Sequence, residues 1–462
     1  MNNGKASRRE FLKRAGALSL SGVAAPFALN LAALGEAAAA NATGYKALVC
    51  VFLYGGNDYA NTLVTYDKPT YDMYAVERPA IAYARNLLTP SVLVPHHALP
   101  DGRQYALAPG LQPLLGRFQD GKLAALLNVG TLIEPTTKDQ YSRGVARLPK
   151  KLFSHNDQQA TFQSDGPEGN VTGWGGRMGD LYAAGNGNSI FTCIGMSGNA
   201  VFLSGSNAIA YQMAPAAPNG TVPINGITSL FGSPACSTAL KEMITAKSTN
   251  LFEASYTAIV RRALTAEAQL GVLSNHQNHV VFPGNNDLAA QLSMVARVIA
   301  ARNELQTKRQ VFFVSMGGFD THDGVLTDHP VLLAKVADAM AAFQTELAAL
   351  RVEDQVTTFT GSDFGRTLNS DGDGSDHGWG SMHFVMGGAV KGCELYGKAP
   401  VMANDGPDDT GRGRLLPTMS VDQYGATLGK WFGVSNTELL DVFPNLRNFD
   451  VSQRDLGFMK PG

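Results

Sequence analysis

Two stretches decide the fold. The first is Val311-Phe312-Phe313-Val314-Ser315-Met316-Gly317-Gly318-Phe319-Asp320-Thr321-His322, and the second is Val356-Thr357-Thr358-Phe359-Thr360-Gly361-Ser362-Asp363. Each is an apolar run that ends in small residues and then an aspartate. Between them Val336, Met340, Phe343, Leu347 and Leu350 recur at helical spacing. Strand, helix, strand is a βαβ unit. Its two strands must be parallel, joined by a right-handed crossover. Their C-terminal ends therefore share one sheet edge, where open α/β sheets place ligands. Asp320, His322 and Asp363 should meet there.

The pattern extends outward. Ala47 to Tyr54 is another apolar run, suited to a strand buried on both faces, and it ends in Gly55-Gly56-Asn57-Asp58. Asp58 joins the cluster if that strand is parallel too. Leu123 to Val129 is a further strand, and Phe384 to Val390, broken by Gly387-Gly388, another. Leu288, Leu292, Val295 and Ile299 lie on one helical face. Ser420 and Gln423 form a capping box ahead of Val421, Tyr424, Leu428 and Trp431. The fold class is α/β, a largely parallel central sheet with helices on both faces. Residues 41–462 form a single domain, with an irregular insertion or cap rich in Gly, Asn and Ser at about 160–240.

Composition excludes other classes. The 462 residues are 44% hydrophobic and carry a net charge of −2, so the chain is not disordered. Neither charge sign dominates, which excludes nucleic-acid binding by phosphate neutralisation. Glycine is in excess, at 50 residues, and many flank the strand-end acids, where backbone must come close or turn with positive φ. The cysteines Cys50, Cys193, Cys236 and Cys393 are too widely spaced for a zinc knuckle or a redox pair. Disulfides between them have three possible pairings, and Cys50 reads as plain core.

The first forty residues read as an address. Ser7-Arg8-Arg9-Glu10-Phe11-Leu12-Lys13 precedes an uncharged run from Ala15 to Gly35, then Ala38-Ala39-Ala40. This is the pattern of a cleaved export signal, and the paired arginines resemble the twin-arginine type. The Pro, Asn and Ser within the run argue against a retained anchor. The expected location is periplasmic or extracellular, with the twin-arginine translocase as partner and no membrane contact after cleavage near Ala40.

Asp and His are ligands for zinc, manganese and similar ions. A carboxylate cluster without a cation would repel itself. Ser370 to Gly380 adds Asp371, Asp373, Asp376 and His377 to the same region. Each residue also has a plainer role. An Asp after a strand is often a turn former or helix N-cap. Ser154 with Asp157 three residues on reads equally as an N-cap pair. His383 reads as structural, and His96 and His97 as solvent-facing.

Several stretches together resemble the DUF1501 family: Gly55-Gly56-Asn57-Asp58, Phe153-Ser154-His155-Asn156-Asp157-Gln158, Gly173-Trp174-Gly175-Gly176-Arg177, Phe319-Asp320-Thr321-His322, Ser362-Asp363-Phe364-Gly365-Arg366-Thr367 and Asp376-His377-Gly378-Trp379-Gly380. Leu416-Pro417-Thr418, Trp431-Phe432-Gly433 and Phe443-Pro444-Asn445-Leu446 match as well. That family is similar to the alkaline phosphatase and sulfatase superfamily. The resemblance implies a divalent metal (Zn, Mn, Mg or Ca) held by Asp58, Asp320, His322, Asp363 and His377. It implies Ser154 as nucleophile and Arg366 as a binder of a substrate oxygen. The implied function is an exported metal-dependent hydrolase of phosphate or sulfate esters, acting on a small anionic ester or a surface polymer. Two departures favour an alternative, a non-catalytic exported binding protein with a degenerate metal site. Phe364 stands where the superfamily has a histidine, and Asp320-x-His322 is shorter than its usual D-x-x-x-H.

Overall fold

The computed structural model describes residues 44–215 and 229–461, so the expected export signal at 1–40 lies outside the described residues. The strands in chain order are β1 (Lys46–Leu53), β2 (Leu63–Thr65), β3 (Tyr105–Leu107), β4 (Leu123–Gly130), β5 (Cys193–Gly195), β6 (Tyr211–Gln212), β7 (Arg309–Met316), β8 (Val356–Ser362), β9 (Ser381–Met386), β10 (Glu394–Tyr396) and β11 (Met419–Ser420). Nine of them form one sheet in the order β10-β4-β9-β8-β1-β7-β5-β6, with β11 also on β4. β2 and β3 form a separate antiparallel pair. In the large sheet only β9 runs against its neighbours. The architecture is thus α/β with a mostly parallel sheet, as the βαβ pattern predicts.

β1 lies at the centre because it is apolar on both faces. Val49, Val51 and Leu53 join the core beneath one face. Leu48, Cys50 and Phe52 join the core on the other. The helices Asp287–Ala300 and Val325–Ala349 cover the first face. Trp174–Tyr182 and Val421–Phe432 cover the second. The last of these begins at the predicted capping box of Ser420 and Gln423, an arrangement worth about 1 kcal/mol.

The stretch at 160–240 is only partly an insertion. It supplies β5 and β6 to the edge of the main sheet, and the helix Trp174–Tyr182 to its second face. Two strands of three and two residues are too short to show a period in the sequence. All four cysteines are free, and Cys50 is buried in the core. Among the described residues no helix is long and apolar enough to cross a membrane.

Register sets up the site. Leu53 of β1 is level with Met316 of β7 on one side and with Ser362 of β8 on the other. Three chains therefore leave the sheet at the same height and crowd together. Gly55 shows how tightly: it has φ +117°, and a Cβ there would lie 2.3 Å from the backbone nitrogen of Asp320. Gly55→Ala is expected to destabilise the protein by about 1–3 kcal/mol. Thermal denaturation of the purified variant measures this. An unchanged melting temperature would show that the loops are looser than their packing implies.

Candidate metal centre

The loops leaving β7 and β8 carry Asp320, His322 and Asp363 to this edge, as predicted. The chain beyond β8 turns back so that Arg366 pairs with His377 in an isolated bridge. A fourth segment completes the group. The helix His155–Ser164 begins here, with Ser154 at its N-cap.

Three imidazoles converge. His377 Nε2 lies 3.0 Å from His155 Nε2 and 2.9 Å from His322 Nε2. Asp320 lies across them. Its Oδ1 is 3.0 Å from His322 Nε2 and 3.3 Å from His377 Nε2, and its Oδ2 is 3.3 Å from His155 Nε2. Four ligands around a tetrahedral ion at about 2.0–2.1 Å stand roughly 3.3 Å apart. His155, His377 and Asp320 form one group within reach of such an ion, and His322, Asp376 and His377 form a second that shares His377.

Ring orientation is fixed from behind. His155 Nδ1 donates to Asp363 Oδ2 at 2.7 Å, and His377 Nδ1 donates to the Phe153 carbonyl at 2.8 Å. These acceptors assign the proton of each ring to Nδ1. Both Nε2 atoms then present bare lone pairs to each other at 3.0 Å. Such a contact is repulsive unless a cation or a proton lies between. Carboxylate or carbonyl support behind a ligating imidazole is the usual arrangement at protein metal sites. The hydrogen bond to Asp363 raises the pKa of His155. Burial lowers that of His377.

Asp320 is kept ionised. Burial alone would raise its pKa, but the hydrogen bond from Arg366 Nη1, at 2.6 Å, brings it below the ordinary value. Phe364 packs against the rings of His155 and His377, each at 4.9 Å between centroids. It is buried and walls the cluster on that side.

Not every expected ligand is in the cluster. Asp58 is fully buried and makes two parallel bonds to Arg78, one at 2.7 Å between Arg78 Nη1 and Asp58 Oδ1. It also caps the short helix Tyr59–Asn61 through the amides of Ala60 and Asn61. Its oxygens are occupied, so the geometry does not suit it as a ligand. Asp363 stands behind His155, where its Oδ2 also accepts from the Gly55 amide and from Gln159. Arg366 was expected to reach a substrate oxygen. Instead it is completely buried and its three nitrogens bond to Asp320, the Gly55 carbonyl and Ser375. Ser154 occupies the N-cap position but makes no side-chain bond to the helix backbone, and its hydroxyl donates to Asp157 at 3.0 Å. Of the plainer histidines, His383 is buried against Tyr424, and burial pushes its pKa down to about 3. The candidate ligand that strand-end reasoning missed is His155. It follows no strand, and its only sequence signal was membership in the Phe153–Gln158 stretch.

The family model described as "Protein of unknown function (DUF1501)" matches residues 45–410. The chain belongs to the DUF1501 family. No curated protein matches it in sequence. Three solved structures are distantly similar to this DUF1501 chain. One is Ps i-CgsB in complex with k-i-k-neocarrahexaose, at 11% identity over 90% of this chain and 78% of that one, with a TM-score of 0.35. Another is the PsFucS1 sulfatase from Pseudoalteromonas sp., at 10% identity over 94% and 77%, TM-score 0.31. The third is alkaline phosphatase from the Antarctic bacterium TAB5, at 8% identity over 87% and 99%, TM-score 0.25. At these scores the likenesses carry no argument about activity.

The Asp58–Arg78 pair has a measurable consequence. Burial would raise the Asp58 carboxyl, but Arg78 more than offsets this and holds it at about 2. The folded pKa is below the unfolded value. Its contribution is therefore complete above about pH 4 and is lost as pH falls towards 2. The size is on the order of 2 kcal/mol. Acid unfolding of wild type and Asp58→Asn, followed by circular dichroism, should show this segment missing in the variant. Parallel curves would mean that Asp58 does not titrate differently on folding.

Proposed function

We propose that this protein is a metal-dependent hydrolase of phosphate or sulfate esters, with one divalent ion held by His155, His377 and Asp320. One observation carries the reading: the Nε2 atoms of His155 and His377 lie 3.0 Å apart beside the Asp320 carboxylate, while both Nδ1 atoms are engaged behind. Two nitrogen donors beside one carboxylate favour zinc or manganese over calcium or magnesium, which prefer oxygen. When bound, such an ion polarises an ester oxygen and lowers the pKa of a water molecule.

The protein's own groups do the rest. Asp363 and the Phe153 carbonyl hold Nε2 of His155 and His377 inward. Arg366 keeps Asp320 charged and in place. Ser154 is the proposed nucleophile, next to His155 in the chain. Its hydroxyl already points a proton at Asp157. Attack of its oxygen on phosphorus or sulfur would release the alcohol and leave a seryl ester, which water then hydrolyses to free phosphate or sulfate. Asp320 and His322 are each 45% exposed, so the cluster opens to solvent and admits an ester carried on a large polymer. Export to the periplasm or beyond would place it beside such substrates.

A second reading is a binding protein that keeps the ion without catalysis. The commitment of every Arg366 nitrogen favours it, since that guanidinium is not left to hold a substrate oxygen.

Elemental analysis and a panel of phosphate and sulfate esters test both. His155→Ala should lower metal affinity by about 100-fold and abolish turnover. Ser154→Ala should retain metal and lose at least about 100-fold in rate. Metal without turnover on any ester would favour the binding protein. Full activity in Ser154→Ala would remove that residue as nucleophile.

A further inference from the structure

Beneath the cluster runs a row of buried polar groups with alternating charge. Arg78 and Asp58 have no exposed side-chain surface and pair in a two-bond fork. The Ser375 hydroxyl donates to Asp58 Oδ2 at 3.1 Å. The same hydroxyl accepts from Arg366 Nε at 3.3 Å, and the Ser375 carbonyl accepts from Arg366 Nη2. Arg366 Nη1 then donates to Asp320 Oδ1. From inside outward the row reads cation, anion, cation, anion, and only the last anion reaches the imidazoles.

The row leaves little capacity for a second metal ion at Asp58. One oxygen accepts from two backbone amides and Arg78, and the other from Arg78 and Ser375. An ion there would have to expel a guanidinium from a site closed to water, leaving a buried charge unpaired. Ser375 is the hinge of the arrangement. It is fully buried, and its hydroxyl and carbonyl grip two nitrogens of one guanidinium, which fixes the plane of Arg366 and so the direction of Nη1.

We propose that Arg78 supplies the positive charge that a metal ion bound at Asp58 would otherwise bring. The two candidate ligand groups share the one free nitrogen of His377, so the centre takes a single divalent ion, and Arg78, Asp58, Ser375 and Arg366 act together as positioning residues for its ligand Asp320. This rests on the metal reading above and deepens it.

Zinc titration of metal-stripped protein by isothermal calorimetry tests the inference without using activity. Wild type should bind one equivalent of Zn²⁺ per chain. Ser375→Ala should also bind one, but about 10–100-fold more weakly, the loss seen when the support of a ligand is removed. Its binding is measured well below its own melting temperature, so that a purely structural role, which would lower only the melting temperature, leaves the affinity unchanged. Two tight equivalents in wild type would overturn the inference, as would unaltered affinity in a folded Ser375→Ala. Either result leaves the metal reading standing. No Zn²⁺ binding by wild type would overturn both. Should Ser375→Ala fail to fold, the wild-type stoichiometry alone still decides.

Discussion

The level pairing of three parallel strands, β8, β1 and β7, is the constraint on which the site depends. Leu53, Met316 and Ser362 stand at one height, held by continuous backbone ladders. Apolar side chains on both faces of β1 lock that register, because a one-residue slip would exchange the two cores. The turns beyond these residues then have nowhere to go but against each other. The Gly55 amide reaches Asp363, its carbonyl reaches Arg366, and its missing side chain makes room for Asp320. Gly374 has the same function on the far side, where a Cβ would fall 1.9 Å from the His322 carbonyl.

Upon this frame the protein sets two opposite electrostatic conditions side by side. The imidazoles must offer uncharged lone pairs, and Asp320 must stay charged. The first is met by giving the outer nitrogens of His155 and His377 fixed acceptors. The second is met by Arg366, whose charge Asp320 answers while Asp58 and Arg78 balance each other below. Isolated buried charges are prohibitively costly, so each is answered by an opposite neighbour. A chain with only 16% charged residues thus concentrates several of them in one buried row.

Much of this was legible in the residues. Apolar runs ending in Gly-Gly and an aspartate located the functional edge, and the helical period between two of them required the parallel arrangement. Asp320 and His322 were found because they follow a strand end closely, and His377 because it sits in the acid-rich stretch from Ser370 to Gly380. His155 was not, because it enters on a helix that follows no strand. The edge strands β5 and β6, three and two residues long, were hidden in the Gly-, Asn- and Ser-rich stretch at 160–240 for lack of any period long enough to read.

The sequence by itself determined the α/β class, the edge at which polar groups gather and most of the residues that gather there. These follow from periodicity and chain direction, which are local properties. Only the tertiary structure decided what each polar group does. Whether an aspartate holds an ion, caps a helix or neutralises an arginine depends on which partner lies within about 3 Å. For Asp58 that partner is Arg78, for Asp363 it is His155, and for Arg366 it is Asp320. None of these pairs is close enough in the chain for spacing to reveal it, because each is made by packing separate elements against one sheet edge.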